Sequence, residues 1–328
     1  MKAIIPVAGA GTRLRPHTHT TPKVLIKVAG KTIIEYIVDE IIKYNIIDEI
    51  IFIVGYLGRQ IKEFIEKKYK ERINLSFVFQ SERKGLGHAI YLTRNRIDGE
   101  PVLIILGDTV FKADFKNIIN SNENFIGVKE VEDPRRFGVV FLNKDNQIER
   151  FVEKPKTTES NLAIVGIYLI QESRELFKKL DYIIKNDIRT KGEYQLTDAL
   201  QLMLEDNVKM EIFQVDKWLD CGKPETLLAT NKELLEEYGN NRGAPNSIII
   251  PPVYISETAN IKESIIGPYV SVGDNVVITH SIITNSIIND GAFIERLLFT
   301  RSLIGREAII RGIYRHFNIG DSSEVNLG

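Results

Sequence analysis

The stretch Ala3-Ile4-Ile5-Pro6-Val7-Ala8, with the Gly9-Ala10-Gly11-Thr12-Arg13-Leu14-Arg15-Pro16 that follows it, decides how the N-terminal part of the chain folds. The apolar run is short, contains a proline and stops at a glycine turn, so it reads as a buried strand rather than a helix. A Gly-x-Gly directly after a strand raises a dinucleotide-binding turn. That reading fails, because Leu14 stands where the third glycine would permit close helix packing, and Pro16 falls inside the first turns of the required helix. A P-loop is excluded as well, since no Gly-Lys-Ser/Thr closes the segment. What remains is a turn of exposed backbone N–H groups with Arg13, Arg15 and Lys23 nearby, a combination suited to a triphosphate. A glycine turn with merely solvated basic residues is the competing reading at this point.

Working outward, Ile33, Ile34, Ile37, Val38, Ile41 and Ile42 recur at helical spacing, and Ile50 to Val54 supplies the next buried strand. The alternation continues with a helix near Gln60 to Tyr69, a strand near Leu75 to Phe79, a helix near Leu86 to Arg96 and a strand from Pro101 to Leu106. Nearly continuous apolar strands alternating with helices predict a Rossmann-like α/β fold, its mostly parallel sheet covered on both faces. From Phe125 the rhythm changes. Phe137 to Leu142, Ile148 to Val152 and Leu162 to Ile170 follow one another without a crossover helix, so the sheet becomes mixed there. Helices return at Glu172 to Lys185 and Tyr194 to Glu205, then a strand at Val208 to Val215 and a helix near Pro224 to Glu237. Residues 1–238 are expected to form this domain, and Gly239-Asn240-Asn241-Arg242-Gly243 to link it to a second, residues 239–328.

Beyond the linker, Ile supplies 18 of the 85 residues from Ala244 onward, with no helical period. Ile255 and Ile261 are six apart, as are Ile266, Val272 and Ile278; Ala259, Val270 and Val276 sit four residues after Ile255, Ile266 and Val272. That hexapeptide rhythm predicts a short parallel β-helix of four or five coils, against a plain β-sandwich with accidental spacing. Ser264-Ile265-Ile266, Ser281-Ile282-Ile283 and Ser302-Leu303-Ile304 look like a coarser echo, about one 18-residue coil apart or a multiple of it. The rhythm slips near Asn285 to Phe299, where an imperfect coil or an insertion is expected.

Lys and Arg number 43 against 44 Asp and Glu, a net charge of −1, so the balance calls for neither nucleic acid nor a membrane surface as partner. No apolar run approaches the roughly 18 residues that span a bilayer. Cys221 is the sole cysteine and cannot form an internal disulfide, and a cytoplasmic enzyme is the default expectation.

The sequence resembles the sugar-1-phosphate nucleotidyltransferase family through Gly11-Thr12-Arg13-Leu14-Arg15-Pro16 and Pro22-Lys23-Val24-Leu25. Further matches follow in the family's order over about residues 1 to 235: Gln80 with Gly85-Leu86-Gly87-His88-Ala89, Leu106-Gly107-Asp108, Phe137-Gly138-Val139-Val140, Val152-Glu153-Lys154-Pro155, Gly166-Ile167-Tyr168, Tyr194-Gln195-Leu196-Thr197-Asp198 and Trp218-Leu219-Asp220-Cys221-Gly222. The family often has Gly-Gly where Ala8-Gly9 stands and a second Pro where Val24 stands. Neither departure removes a charged group. The resemblance also implies that the hexapeptide tail is a left-handed β-helix.

It implies in-line attack by a sugar 1-phosphate oxygen on the α-phosphorus of a nucleoside triphosphate, with pyrophosphate leaving and no covalent enzyme intermediate. Asp108, just past one strand, and Asp220, placed beyond the strand through Val215, would together hold Mg²⁺, whose hard oxygen preference suits two carboxylates. Either aspartate alone is as well read as a turn or helix cap. Arg13 would hold the leaving phosphates and Lys23 the α-phosphate. Lys154 would hold the sugar phosphate and Glu153 the sugar hydroxyls. Adjacent strand residues face opposite ways, so both can reach one ligand only at a strand end or bend, which Pro155 suits. The turn residues Ala8, Gly9, Gly11 and Thr12 would line the nucleotide, with Gln80 and the backbone of Gly85 reading the base, a pair fitted to the imide edge of thymine or uracil. Gly138 and Gly166 would admit the sugar close to the backbone, and Tyr168 and Trp218 would wall its pocket.

His17, His19, His88, His280 and His316 show no metal-ligand spacing, and Cys221, beside Asp220, is unsuited to nucleophilic work. The tail is too short, and too poor in a His with a supporting acid, to add acyl transfer; it is expected to assemble or regulate protomers into a homo-oligomer. Glucose 1-phosphate with dTTP or UTP is the leading substrate pair. Mannose 1-phosphate with GTP, N-acetylglucosamine 1-phosphate with UTP, and a non-catalytic sugar-nucleotide-binding subunit are the alternatives.

Overall fold

The computed structural model describes all residues except 145, 146, 314–318, 320, 321, 323 and 325–328, and only the backbone of 117. The expected uninvolvement of His316 therefore lies outside the described residues. The chain falls into two compact units, Met1–Lys27 with Lys31–Thr230, and Val28–Gly30 with Asn231–Gly328.

In the first unit the strand Lys2–Pro6 lies between Glu49–Val54 and Val102–Ile105, and Asn74–Phe79 extends the sheet beyond Glu49–Val54, all parallel. Ile4, Ile5, Ile50, Ile51, Phe52 and Ile53 are wholly buried, which is why these strands read as continuous apolar runs. Leu162–Ile170 then joins Val102–Ile105 antiparallel and also pairs Asn124–Glu130 and Gly138–Leu142. Ile148–Glu153 and Met210–Gln214 complete a nine-stranded mixed sheet. The predicted change of rhythm after Phe125 is this switch of strand direction.

Helix Ile33–Ile42 begins with a reciprocal cap: Thr32 Oγ1 accepts from Glu35 N–H at 3.3 Å and the Glu35 carboxylate accepts from Thr32 N–H at 2.6 Å. Such a cap contributes about 1 kcal/mol. The helix expected from Leu86 to Arg96 is shorter. It stops at Tyr91 and continues as a 3₁₀ turn at Arg94–Arg96, where the buried Thr93 hydroxyl donates back to the Ile90 carbonyl at 2.7 Å.

The second unit is a left-handed β-helix with four strands stacked in register on each of three faces. Val253, Ile255, Ile261, Ile266, Val270, Val272, Val276, Ile278, Ile283 and Ile294 fill its axis and are almost wholly buried, as the six-residue rhythm requires. At one corner a serine ladder satisfies the backbone. Ser264 Oγ donates to the Lys262 carbonyl at 2.7 Å and accepts from Ser281 N–H at 3.1 Å, and Ser281 Oγ repeats the pattern with Thr279 and Leu297. Ser302 does not belong to that ladder; it stacks on Ser286 at another corner. Of the imperfect coil or insertion expected there, the structure has the imperfect coil, one residue short at a corner. Ile265 pairs with Ile282, seventeen residues on, whereas Val270 pairs with Ser286, sixteen on, because Thr284-Asn285 replaces the longer corner Gly267-Pro268-Tyr269. The polar stretch 239–243 lies within this unit. Asn231, also in it and fully buried, accepts at Oδ1 from Ala29 N–H (2.9 Å) and Ser271 Oγ (2.6 Å).

Candidate active site

The N-terminal turn leaves the strand Lys2–Pro6 at its C-terminal end. Gly11 has φ +61°, and a Cβ there would lie 2.9 Å from Thr18 and 3.1 Å from Lys23, so a glycine is needed for both backbone and space. Thr18, buried and not singled out by the sequence reading, donates to the Gly11 carbonyl at 2.8 Å and straps the turn. Thr12 opens a 3₁₀ turn, Thr12–Leu14, that sinks Leu14 into the core and carries Arg13 to the wall of a cavity of about 460 Å³. Gly9 faces open space, and Ala8 packs so closely on Gly55 that a side chain there would meet it at 3.0 Å.

Asp108 follows the strand Val102–Ile105, at the end where a parallel sheet opens its crevice. Asp220 lies beyond the strand Met210–Gln214, as expected, but at the end of a further strand of its own, Lys217–Asp220, paired antiparallel with Thr109–Lys112. That small sheet sets Asp220 opposite Thr109, and Cys221 N–H donates to the Asp108 carbonyl at 3.3 Å. Both aspartates line the cavity with Arg13. The buried Lys23 ammonium donates to Asp108 Oδ2 at 3.2 Å, and Asp220 Oδ1 accepts from Gly222 N–H at 2.7 Å. A Cβ on Gly222 would lie 2.7 Å from Asp220 and 2.9 Å from Arg13, so a side chain there would crowd both the carboxylate and the guanidinium. Cys221 beside them is fully buried and its thiol is pushed up to about 12, chiefly by burial, which leaves it inert.

At the other side of the cavity the strand Ile148–Glu153 ends and Lys154 takes a left-handed conformation, φ +47°. The bend expected from Pro155 is therefore present, and Glu153 and Lys154 both line the cavity, 3.7 Å apart at their charged ends. Glu153 Oε2 accepts from the Thr197 hydroxyl at 3.3 Å; burial raises its pKa, with Lys154 opposing. Gly138 lies in the same wall, where a Cβ would meet Glu153 at 3.0 Å. Tyr168 and Trp218 line the cavity too, and Trp218 stands edge-on to Phe137 at 4.9 Å with its buried Nε1 lacking a partner among the described residues. Gly166 is not on that wall. Its φ of +81° and missing side chain make room for Leu106, which would otherwise be met at 2.6 Å.

Gln80 and Gly85 stand outside the cavity wall but next to each other: Gln80 Nε2 donates to the Gly85 carbonyl at 3.4 Å. Gly85 has φ +107° and presses against the Tyr194 carbonyl, where a Cβ would come to 2.5 Å. Arg136, Gln195 and Thr197 also line the cavity and received no role in the sequence reading; each is adjacent to a matched motif or inside one. His17 is half-buried, and His280 pairs with Glu263 at 2.5 Å in the β-helix. Among the described residues no cluster of three or more His, Cys, Asp or Glu could hold a metal, and no helix is long and apolar enough to cross a membrane.

Residues 2–237 match the family model described as nucleotidyl transferase. The chain is 29% identical to the low-salt glycan biosynthesis nucleotidyltransferase Agl11 of Haloferax volcanii, with each chain covered in full. It is 37% identical to a bifunctional sugar-1-phosphate nucleotidylyltransferase/acetyltransferase of Sulfurisphaera tokodaii, matching 80% of this chain and 63% of that one, so it spans just under two thirds of that relative's length. The crystal structure of a UDP-glucose pyrophosphorylase complexed with UDP-glucose superposes with a TM-score of 0.63 at 26% identity, over 72% of this chain and 98% of the other. With residues 2–237 covered by the family model, the chain belongs to the nucleotidyl transferase family.

Proposed function

We propose that the protein couples glucose 1-phosphate to UTP or dTTP, releasing pyrophosphate and an NDP-glucose. The observation that carries this reading is the convergence of Arg13, Asp108, Asp220, Glu153 and Lys154 on one cavity, with Lys23 bonded to Asp108. The likeness to a glucose-nucleotide enzyme supports the sugar. A non-catalytic subunit would have no use for the full charged set.

Two anions must meet here, and the cations lower that repulsion. Lys154 holds the sugar phosphate while Glu153, as carboxylate, accepts from sugar hydroxyls; Trp218 Nε1 offers a donor in the same wall. A phosphate oxygen of the sugar bonds to the α-phosphorus, and the α–β bridging bond breaks in line, its electron pair leaving on the diphosphate. Lys23 stabilises charge growing at the α-phosphate and Arg13 that on the leaving group. Nucleotidyltransferases of this family generally use divalent metal ions. Asp108 and Asp220 are hard oxygen donors on neighbouring backbone, and Cys221 beside them stays a protonated thiol, so the pair fits Mg²⁺, which when bound would neutralise phosphate charge. Gln80 and Gly85 read the base, the nucleotide lying on Ala8, Gly9, Gly11 and Thr12. Residues 1–238 would carry the catalysis and the β-helix assembly into a cytoplasmic homo-oligomer.

The test is pyrophosphate release with Mg²⁺ across five triphosphates and glucose, mannose, galactose and N-acetylglucosamine 1-phosphates. Glucose 1-phosphate with UTP or dTTP is expected to give the highest kcat/KM. A higher value for mannose with GTP or N-acetylglucosamine with UTP replaces the substrate assignment, and no turnover with any pair replaces the catalytic one.

A further inference from the structure

Gln80 is buried, and its amide meets two groups at once, the Gly85 carbonyl at 3.4 Å and His88 Nδ1 at 3.3 Å. A carbonyl oxygen only accepts, so the amide atom facing Gly85 is the nitrogen. The same nitrogen faces His88 Nδ1, which must then be the lone-pair nitrogen of a neutral imidazole carrying its proton on Nε2. Both N–H bonds of Gln80 are thus committed inside the protein, and no described residue donates to its Oε1. The amide has one function left to offer a ligand, that of acceptor.

We propose that His88 is the positioning residue for base selection: by accepting from Gln80 Nε2 it keeps Gln80 Oε1 outward, favouring bases with a ring N–H, uracil, thymine or guanine, over cytosine and adenine, whose equivalent ring nitrogen carries a lone pair. This rests on the base-reading role given to Gln80 above. Protonation of His88 places an N–H against the Gln80 NH₂. The amide could answer by turning over, but Oε1 would then oppose the Gly85 carbonyl, so neither orientation satisfies both neighbours. The groups around His88 set where this happens. Burial, with Lys84 nearby, holds its pKa below the usual histidine value, and Glu82 opposes them. Tyr194, the aromatic neighbour at 6.4 Å, has its hydroxyl bonded to Asp187 and its ring under Arg189. At pH 7 the imidazole is therefore neutral and the reader is set. Selection is lost as pH falls below the ordinary histidine range, about 6.5.

The test is calorimetric binding of UMP against CMP, and of GMP against AMP as the purine pair, to the full-length protein between pH 8.0 and 5.5. Ionisation of the nucleotide phosphate is common to each pair and cancels in the ratio. Wild type is expected to favour UMP or GMP by roughly tenfold at pH 8.0, with the preference collapsing toward pH 5.5. In His88→Leu the preference is expected to be lost at every pH. In His88→Asn, whose Oδ1 accepts at the same place and cannot be protonated, it is expected to persist with no dependence on pH. Preference retained in His88→Leu but lost in Gln80→Leu overturns the role of His88 while leaving Gln80 as the base reader. Preference retained in Gln80→Leu overturns the Gln80 reading and His88 with it. A wild-type ratio flat across this range, or a His88→Asn ratio that still titrates, also overturns the proposal.

Discussion

The β-helix and the cavity of the first unit solve opposite problems with the same backbone chemistry. In the β-helix each residue's surroundings are supplied by the residue sixteen or seventeen positions earlier, so Ile278 rests on Ile261 and Ile294 on Ile278, and the serine ladder repeats one bond from coil to coil. In the cavity no position resembles another. Lys23 meets Asp108 across 85 residues, Glu153 meets Thr197 across 44, and Asp220 reaches its place on a two-stranded sheet apart from the main one. Redundant stacking makes the first region tolerant in chemistry and sensitive in volume; unique placement makes the second the reverse.

The largest expected effect tests that contrast at its chemical end. Asp108→Asn and Asp220→Asn keep shape but halve the charge of the proposed ion site, and each is expected to lower kcat by roughly 10³-fold with the melting temperature near that of wild type. A variant that keeps its rate removes that aspartate from the reaction. At the volume end, Ile278→Ala leaves a cavity on the β-helix axis and is expected to cost about 3 kcal/mol in the unfolding of that unit, read by calorimetry, while kcat/KM at 25 °C stays near wild type. Parallel loss of activity would erase the division between the two regions. The smallest effect concerns charge tuning. Burial raises the Glu153 pKa, and the carboxylate is the form that accepts sugar hydroxyls, so sugar-phosphate binding is expected to weaken as pH falls, starting above the ordinary carboxylate range of about 4.3. Glu153→Gln is expected to raise KM for glucose 1-phosphate about tenfold and to remove that acid limb from the KM profile; a limb that survives belongs to another group.

The same contrast explains what could be read before any coordinates. Apolar runs such as Ile50 to Val54 and the six-residue rhythm around Ile266, Val272 and Ile278 are local statements about burial, and these residues are indeed buried. The bend at Glu153-Lys154 was legible too, since Pro155 limits how the strand can continue. Three things were not. The strand Lys217–Asp220 is four residues long and only partly buried, so its pattern carries no period. The corner deletion at Asn285 shifts phase by one residue, which hydrophobicity alone reads equally well as an insertion. Thr18 and Gly222 act through one hydrogen bond and one absent side chain, signals that appear only once Gly11 and Arg13 have positions.

The left-handed backbone at Lys154 narrows what substitution can do at that site. A β-branched residue there meets a steric penalty, and glycine, which meets none, brings no cation. Under the proposed role of Lys154 as phosphate anchor, position 154 is thereby confined to long unbranched basic side chains, and a shift in sugar preference by mutation has its open path at Glu153, one codon upstream.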